Sequence, residues 1–109
     1  MAIRAKVLVI CNDLEQLSKI YLALIHRNFK AEASDKWEEV PERIKRFKPA
    51  VLIIAYDLYV MVEAQLKMPA VVMTEKGSGL GSTPGSEVQY IEKPFNMDAL
   101  VRLTERLVV

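Results

Sequence analysis

Cysteine and histidine each occur once in the 109-residue chain, as Cys11 and His26. A single cysteine cannot form an internal disulfide, and with one of each no Cys-His or Ser-His-Asp arrangement can draw on a second copy of either residue. One cysteine also suits a reducing compartment, so a cytoplasmic location is expected. Neither sign of charge dominates: the formal net charge is +1. A general nucleic-acid surface is therefore not expected, and direct nucleic-acid binding is excluded from the reading. The one basic run, Arg43-Ile44-Lys45-Arg46-Phe47-Lys48, reads as the solvated face of a helix. No apolar run approaches the length of a membrane span. The opening Met1-Ala2-Ile3-Arg4-Ala5-Lys6 is too charged to read as a signal peptide. Glycine is scarce as well. All four glycines fall within Gly77-Ser78-Gly79-Leu80-Gly81-Ser82-Thr83-Pro84-Gly85-Ser86, a composition that resists helix formation and predicts a flexible loop. Their order fits neither the dinucleotide fingerprint nor the Gly-x4-Gly-Lys-Ser/Thr phosphate loop.

What is present is short apolar runs separated by helical periodicity. Hydrophobic residues make up 51% of the chain, enough for the core of one domain spanning residues 1–109. Ala50-Val51-Leu52-Ile53-Ile54 follows Pro49 and runs without alternation to Ala55, the pattern of a strand buried on both faces in a parallel sheet. Val7-Leu8-Val9-Ile10 and Ala70-Val71-Val72-Met73, the latter ending at Thr74, are two more central strands. Lys30-Ala31-Glu32-Ala33-Ser34 and Val88-Gln89-Tyr90-Ile91 are mixed in polarity and belong at the edges.

Helices fill the intervals. Leu14, Leu17, Ile20, Tyr21, Leu24 and Ile25 share one face of a first helix that ends near Asn28, with Asn12 and Glu15 spaced as a capping box. His26 lies off that stripe and takes a surface or half-buried structural role. Asp35 and Glu38 open a second helix with Trp37, Val40, Ile44 and Phe47 inward and Pro41 in its first turn. Tyr56 to Lys67 allows only a few helical turns, and Asn96 caps a final helix with Met97, Leu100, Val101, Thr104, Leu107 and Val108 inward. Right-handed crossovers then give a doubly wound α/β fold, a five-stranded parallel sheet in the order 2-1-3-4-5.

In such sheets chemistry collects at the carboxyl ends of the central strands. Here the middle strand ends at Ala55, whose methyl group has no acid-base, nucleophilic or metal-binding capacity.

Four segments together resemble the receiver domain of two-component response regulators, over essentially the whole chain. Val7 to Ile10 stands where the family's acidic pair follows. Pro49 to Ala55 is similar to the Pro-Asp-Leu-x-x-x-Asp strand that ends in the phosphoacceptor. Val71-Val72-Met73-Thr74 resembles the strand ending in Ser/Thr, and Tyr90-Ile91-Glu92-Lys93-Pro94-Phe95 resembles the closing Tyr-x-x-Lys-Pro-Phe. The last segment, with Asn96 to Leu107 after it, resembles receivers joined to ATP-dependent transcriptional activators. In a working receiver a carboxylate takes the phosphoryl group while two further acids hold Mg²⁺. A lysine and a Ser/Thr hydroxyl then bind the phosphate, and an aromatic side chain follows the hydroxyl.

By that resemblance the acceptor position is Ala55 and the acidic pocket is reduced to Cys11, Asn12 and Asp13, while Thr74, Tyr90 and Lys93 are retained. The implied protein is a degenerate receiver (a pseudo-receiver) in signal transduction and transcription regulation. It is not an enzyme, needs no cofactor and binds no Mg²⁺. It acts through a protein partner or an attached output domain, with a homodimer as one form. Lys93, without its usual counter-charge, should pair with Asp13 or another nearby oxygen. The third helix should be short and the fourth replaced by the Gly/Ser loop, which rebuilds the usual output face and removes the phosphorylation-driven dimer. Because the chain stops at Val109, it reads as a regulatory module of a longer protein.

Three alternatives are open. Asp57, two residues on and in phase with Ala55, could be an acceptor in an active receiver. Cys11, beside a helix N-terminus, could be an activated thiol. The vacated pocket could bind a small molecule or anion through Lys93 and Thr74.

Overall fold

In the computed structural model the structure describes residues 5–66, 68–77, 79 and 87–108. Five strands, β1 (Lys6–Ile10), β2 (Lys30–Ser34), β3 (Val51–Ala55), β4 (Ala70–Thr74) and β5 (Val88–Glu92), form one parallel sheet in the order β2-β1-β3-β4-β5. This is the doubly wound α/β architecture read from the sequence. Every residue of β3 and β4 is buried, as is β1 after Lys6, because helices cover both faces of a sheet built by crossovers. β5 is only partly buried along its length, as its edge position dictates.

Four α-helices lie among the described residues: α1 (Leu14–His26), α2 (Val40–Phe47), α3 (Tyr56–Val62) and α4 (Met97–Leu107). α1 packs beside α4, and α3 packs against the 3-10 turn Trp37–Glu39 that leads into α2. Pro41 sits in the first turn of α2, where its missing N–H costs nothing. Lys48 then takes a left-handed conformation (φ 53°) and stops the helix before Pro49. α3 spans seven residues and tightens into a 3-10 turn, Glu63–Gln65, so the third helix is short as expected. No helix occurs among the described residues between β4 and β5. The Gly/Ser loop expected there falls largely on residues 78 and 80–86, which lie outside the described residues.

Two local expectations are corrected. Asn12 does not cap α1. Asp13 does, its Oδ1 accepting from the amides of Glu15 (3.1 Å) and Gln16 (3.2 Å). A carboxylate is the stronger acceptor at the positive end of the helix dipole, so it displaces the neighbouring amide. The inward stripe of α1 is also narrower than predicted. Leu17, Ile20 and Leu24 are buried, whereas Leu14, Tyr21 and Ile25 are exposed, as is Leu22. At the other end of the chain Asn96 caps α4 as read, accepting from the amide of Ala99 at 2.6 Å. The buried Thr104 hydroxyl donates to the Leu100 carbonyl.

Candidate functional site

The parallel sheet brings the ends of β1, β3 and β4, and the turn after β5, to one rim. A cavity of about 370 Å³ opens there, lined by Asn12, Ala55, Tyr56, Asp57, Met73, Thr74, Glu75 and Lys93. Its floor is apolar. Ala55 is 4% exposed and faces Met73 across the β3–β4 register. The tip of the central strand therefore contributes a methyl group to a buried position.

Polar groups ring this floor. Lys93 follows β5, and its amide is anchored to the Thr74 carbonyl at 2.8 Å. Its Nζ lies 3.4 Å from Oε1 of Glu75, the residue immediately after β4. The ammonium has thus found a carboxylate, but it is Glu75 rather than Asp13, whose oxygen is committed to the α1 amides. Thr74 is buried, and its hydroxyl donates to the Ile91 carbonyl at 3.4 Å. Asn12 donates through Nδ2 to Asp57 Oδ2, also at 3.4 Å. Asp57 is exposed in the first turn of α3. Because α3 begins directly after Ala55, one helical step is enough to bring Asp57 to the rim.

Asp13 lies in an adjoining cleft of about 380 Å³, where Gln16, Lys19 and Pro94 also contribute to the wall and Lys93 is shared with the first cavity. The Lys93–Pro94 peptide is cis. Tyr90 sits opposite Val72 in β4, half-buried on β5 and outside the cavity lining. It is close enough to Tyr59 that burial first, and Tyr90 second, push the Tyr59 phenol up.

Cys11 lies beneath the rim, 1% exposed, with its thiol 3.5 Å from Gln16 Oε1. Burial pushes its pKa up from the ordinary thiol value. The amide of Asp13 and the charge of Lys93 pull it down, and the Asp13 and Asp57 carboxylates raise it further. Burial thus works against an activated thiol at this position. His26 is exposed at the far end of α1. Among the described residues no group of three His, Cys, Asp or Glu side chains is placed to hold a metal.

A Mg²⁺ ion requires several oxygen donors, carboxylates foremost. The donors here are a neutral amide at Asn12, exposed carboxylates at Asp57 and at Glu75 (the latter beside the Lys93 ammonium), and a carboxylate at Asp13 already accepting two amide hydrogens. That set does not fit the ion. The sequence reading missed Glu75. Its only signal was an acidic residue directly following the Val-Val-Met-Thr strand, which becomes meaningful once β4 and Lys93 share a rim.

No family model matches the chain, and no curated protein matches it in sequence. Solved structures do. The receiver domain of NtrX from Brucella abortus superposes with a TM-score of 0.77 at 17% identity, covering 94% of this chain and 97% of that one. The BeF3-activated N-terminal receiver domain of RstA from Klebsiella pneumoniae gives 0.76 at 18%, with the same coverages of 94% and 97%. NtrX from B. abortus in complex with ADP gives 0.77 at 19% over 99% of this chain. The chain spans only 26% of the length of that NtrX chain. At these identities the likeness establishes the fold, and the fold is that of response-regulator receiver domains.

Proposed function

We propose that the chain is a degenerate receiver module that signals through protein-protein contact and carries out no phosphoryl transfer or other enzymatic step. The observation that carries this reading is Ala55. A buried methyl group occupies the end of β3, where a receiver needs its nucleophilic carboxylate. The surroundings support it. The donor set does not suit Mg²⁺, so no cofactor is proposed, and Lys93 has the exposed Glu75 carboxylate 3.4 Å away. Thr74 directs its hydroxyl to β5. The partner is another protein or an output domain on the same polypeptide, consistent with the coverage of one quarter of the NtrX chain. No helix of the described residues is long and apolar enough to cross a membrane, and we place the module in the cytoplasm.

A second reading has one observation in its favour. Asp57 lines the same cavity as Thr74 and Lys93 and is held by Asn12. An acceptor there would work without the usual metal site, and an incoming phosphoryl group would meet two carboxylates, Asp57 and Glu75, against one ammonium. Repulsion between these like charges opposes that chemistry, and equally a free-anion sensor. Incubation with acetyl phosphate or beryllofluoride and Mg²⁺, followed by intact-mass and intrinsic-fluorescence measurement, separates the readings. No mass increase and no fluorescence change are expected. A mass increase abolished by Asp57→Asn would establish the active receiver instead.

A further inference from the structure

α1 carries two apolar stripes, and the domain uses only one. Leu17, Ile20 and Leu24 face the sheet and are buried. Leu14, Tyr21 and Ile25 are 62%, 37% and 42% exposed, with the exposed Ser18 between them. Their spacing, 14-18-21-25, alternates four and three residues, the seam by which one helix packs along another. Leu22, 56% exposed, flanks the seam where it borders a groove of about 510 Å³ between α1 and the β2 edge.

The seam is complementary to itself when reversed. Turned end over end about its midpoint, position 14 meets position 25 and position 18 meets position 21. Leu14 then lies against Ile25 of a second copy, and the small Ser18 receives the large Tyr21, so volumes alternate across the contact. The helix polarity reverses in the same way. α1 has Glu15 in its first turn, so an antiparallel pair places each Glu15-bearing N-terminal end beside the other copy's C-terminal end, opposite in dipole sign. Glu15 is bonded to Lys19 at 3.2 Å, but both side chains are well exposed (80% and 63%), and such a pair exchanges partners at little cost. A parallel pair would instead set like ends and two Tyr21 rings against each other.

We infer that α1 is a homodimerisation helix, pairing antiparallel with α1 of a second copy through Leu14, Ser18, Tyr21 and Ile25. This does not rest on the absence of phosphorylation and holds whether or not the chain accepts phosphorus. Four side chains per copy make a small interface, so the dimer is weak and forms only at high concentration.

Sedimentation velocity across a concentration series up to about millimolar, the range a small interface calls for, tests it. The wild-type mass should rise from monomer to dimer. Ile25→Glu should weaken association by about tenfold or more, with Leu14→Gln as the milder second variant. Both positions are exposed, and melting followed by circular dichroism should match the wild type. Direction is read by oxidising a mixture of Ser18→Cys and Tyr21→Cys proteins. The 18–21 cross-link should dominate, and Cys11 is too buried to compete. A chain that remains monomeric throughout overturns the inference. So does a dimer indifferent to Ile25→Glu, or one that cross-links only 18 to 18.

Discussion

Single side chains decide the chemistry at the rim. The position of Ala55 is buried, and its neighbour across the sheet, Met73, is apolar. Introducing a carboxylate there means desolvating a charge, with Lys93 as the ammonium on the same cavity. Ala55→Asp is expected to lower stability by about 1–3 kcal/mol in urea titrations and to leave the intact mass unchanged after acetyl phosphate treatment. A carboxylate at position 55 would by itself add only one oxygen ligand to a metal. The Cys11 thiol makes a second test. Because burial raises its pKa above 9.0, the neutral thiol is favoured in the folded state. Its contribution to stability is therefore present below the unfolded thiol pKa and lost as pH rises through the folded value. Alkylation by iodoacetamide at pH 8 is expected to be slower in the native chain than in urea, with the native rate rising only in the alkaline range. A fast native reaction at neutral pH would contradict this assignment.

Elements show which local signals were readable. The cap of α4 was plain in the sequence because Asn96 had no better acceptor next to it. At α1 two acceptors, Asn12 and Asp13, stood side by side, and spacing alone favoured the first. The carboxylate won on charge. Asp13→Ala is thus expected to cost about 1 kcal/mol through loss of the cap. Asn12→Ala, which removes only an exposed bond to Asp57, should stay within about 0.5 kcal/mol. Chemical denaturation of the two variants checks the ranking. The α1 stripe was over-read for a related reason. Periodicity identifies apolar residues that share a side of a helix, but the width of the buried arc depends on what lies opposite. A sheet with α4 alongside covers Leu17, Ile20 and Leu24 and leaves Leu14, Tyr21 and Ile25 outside it.

For the whole molecule, stability resides in the three central strands. Ile53 is fully buried at the middle of β3, paired with Val9 on one side and Val71 on the other. Ile53→Ala should cost about 2–5 kcal/mol through lost burial and a cavity, lowering the urea midpoint with little change in slope. The fold and strand order were set by the sequence itself. Short unbroken apolar runs bounded by turn signals favour central strands, mixed runs favour edges, and right-handed crossovers then select the observed order. That Ala55 ends the central strand was likewise legible, because the apolar run preceding it fixes its place. The partner of Lys93, the approach of Asp57 to Asn12, and the exposed seam of α1 belong to tertiary structure alone. Each depends on distances between residues far apart in the chain, and only the packed sheet and its helices set those distances.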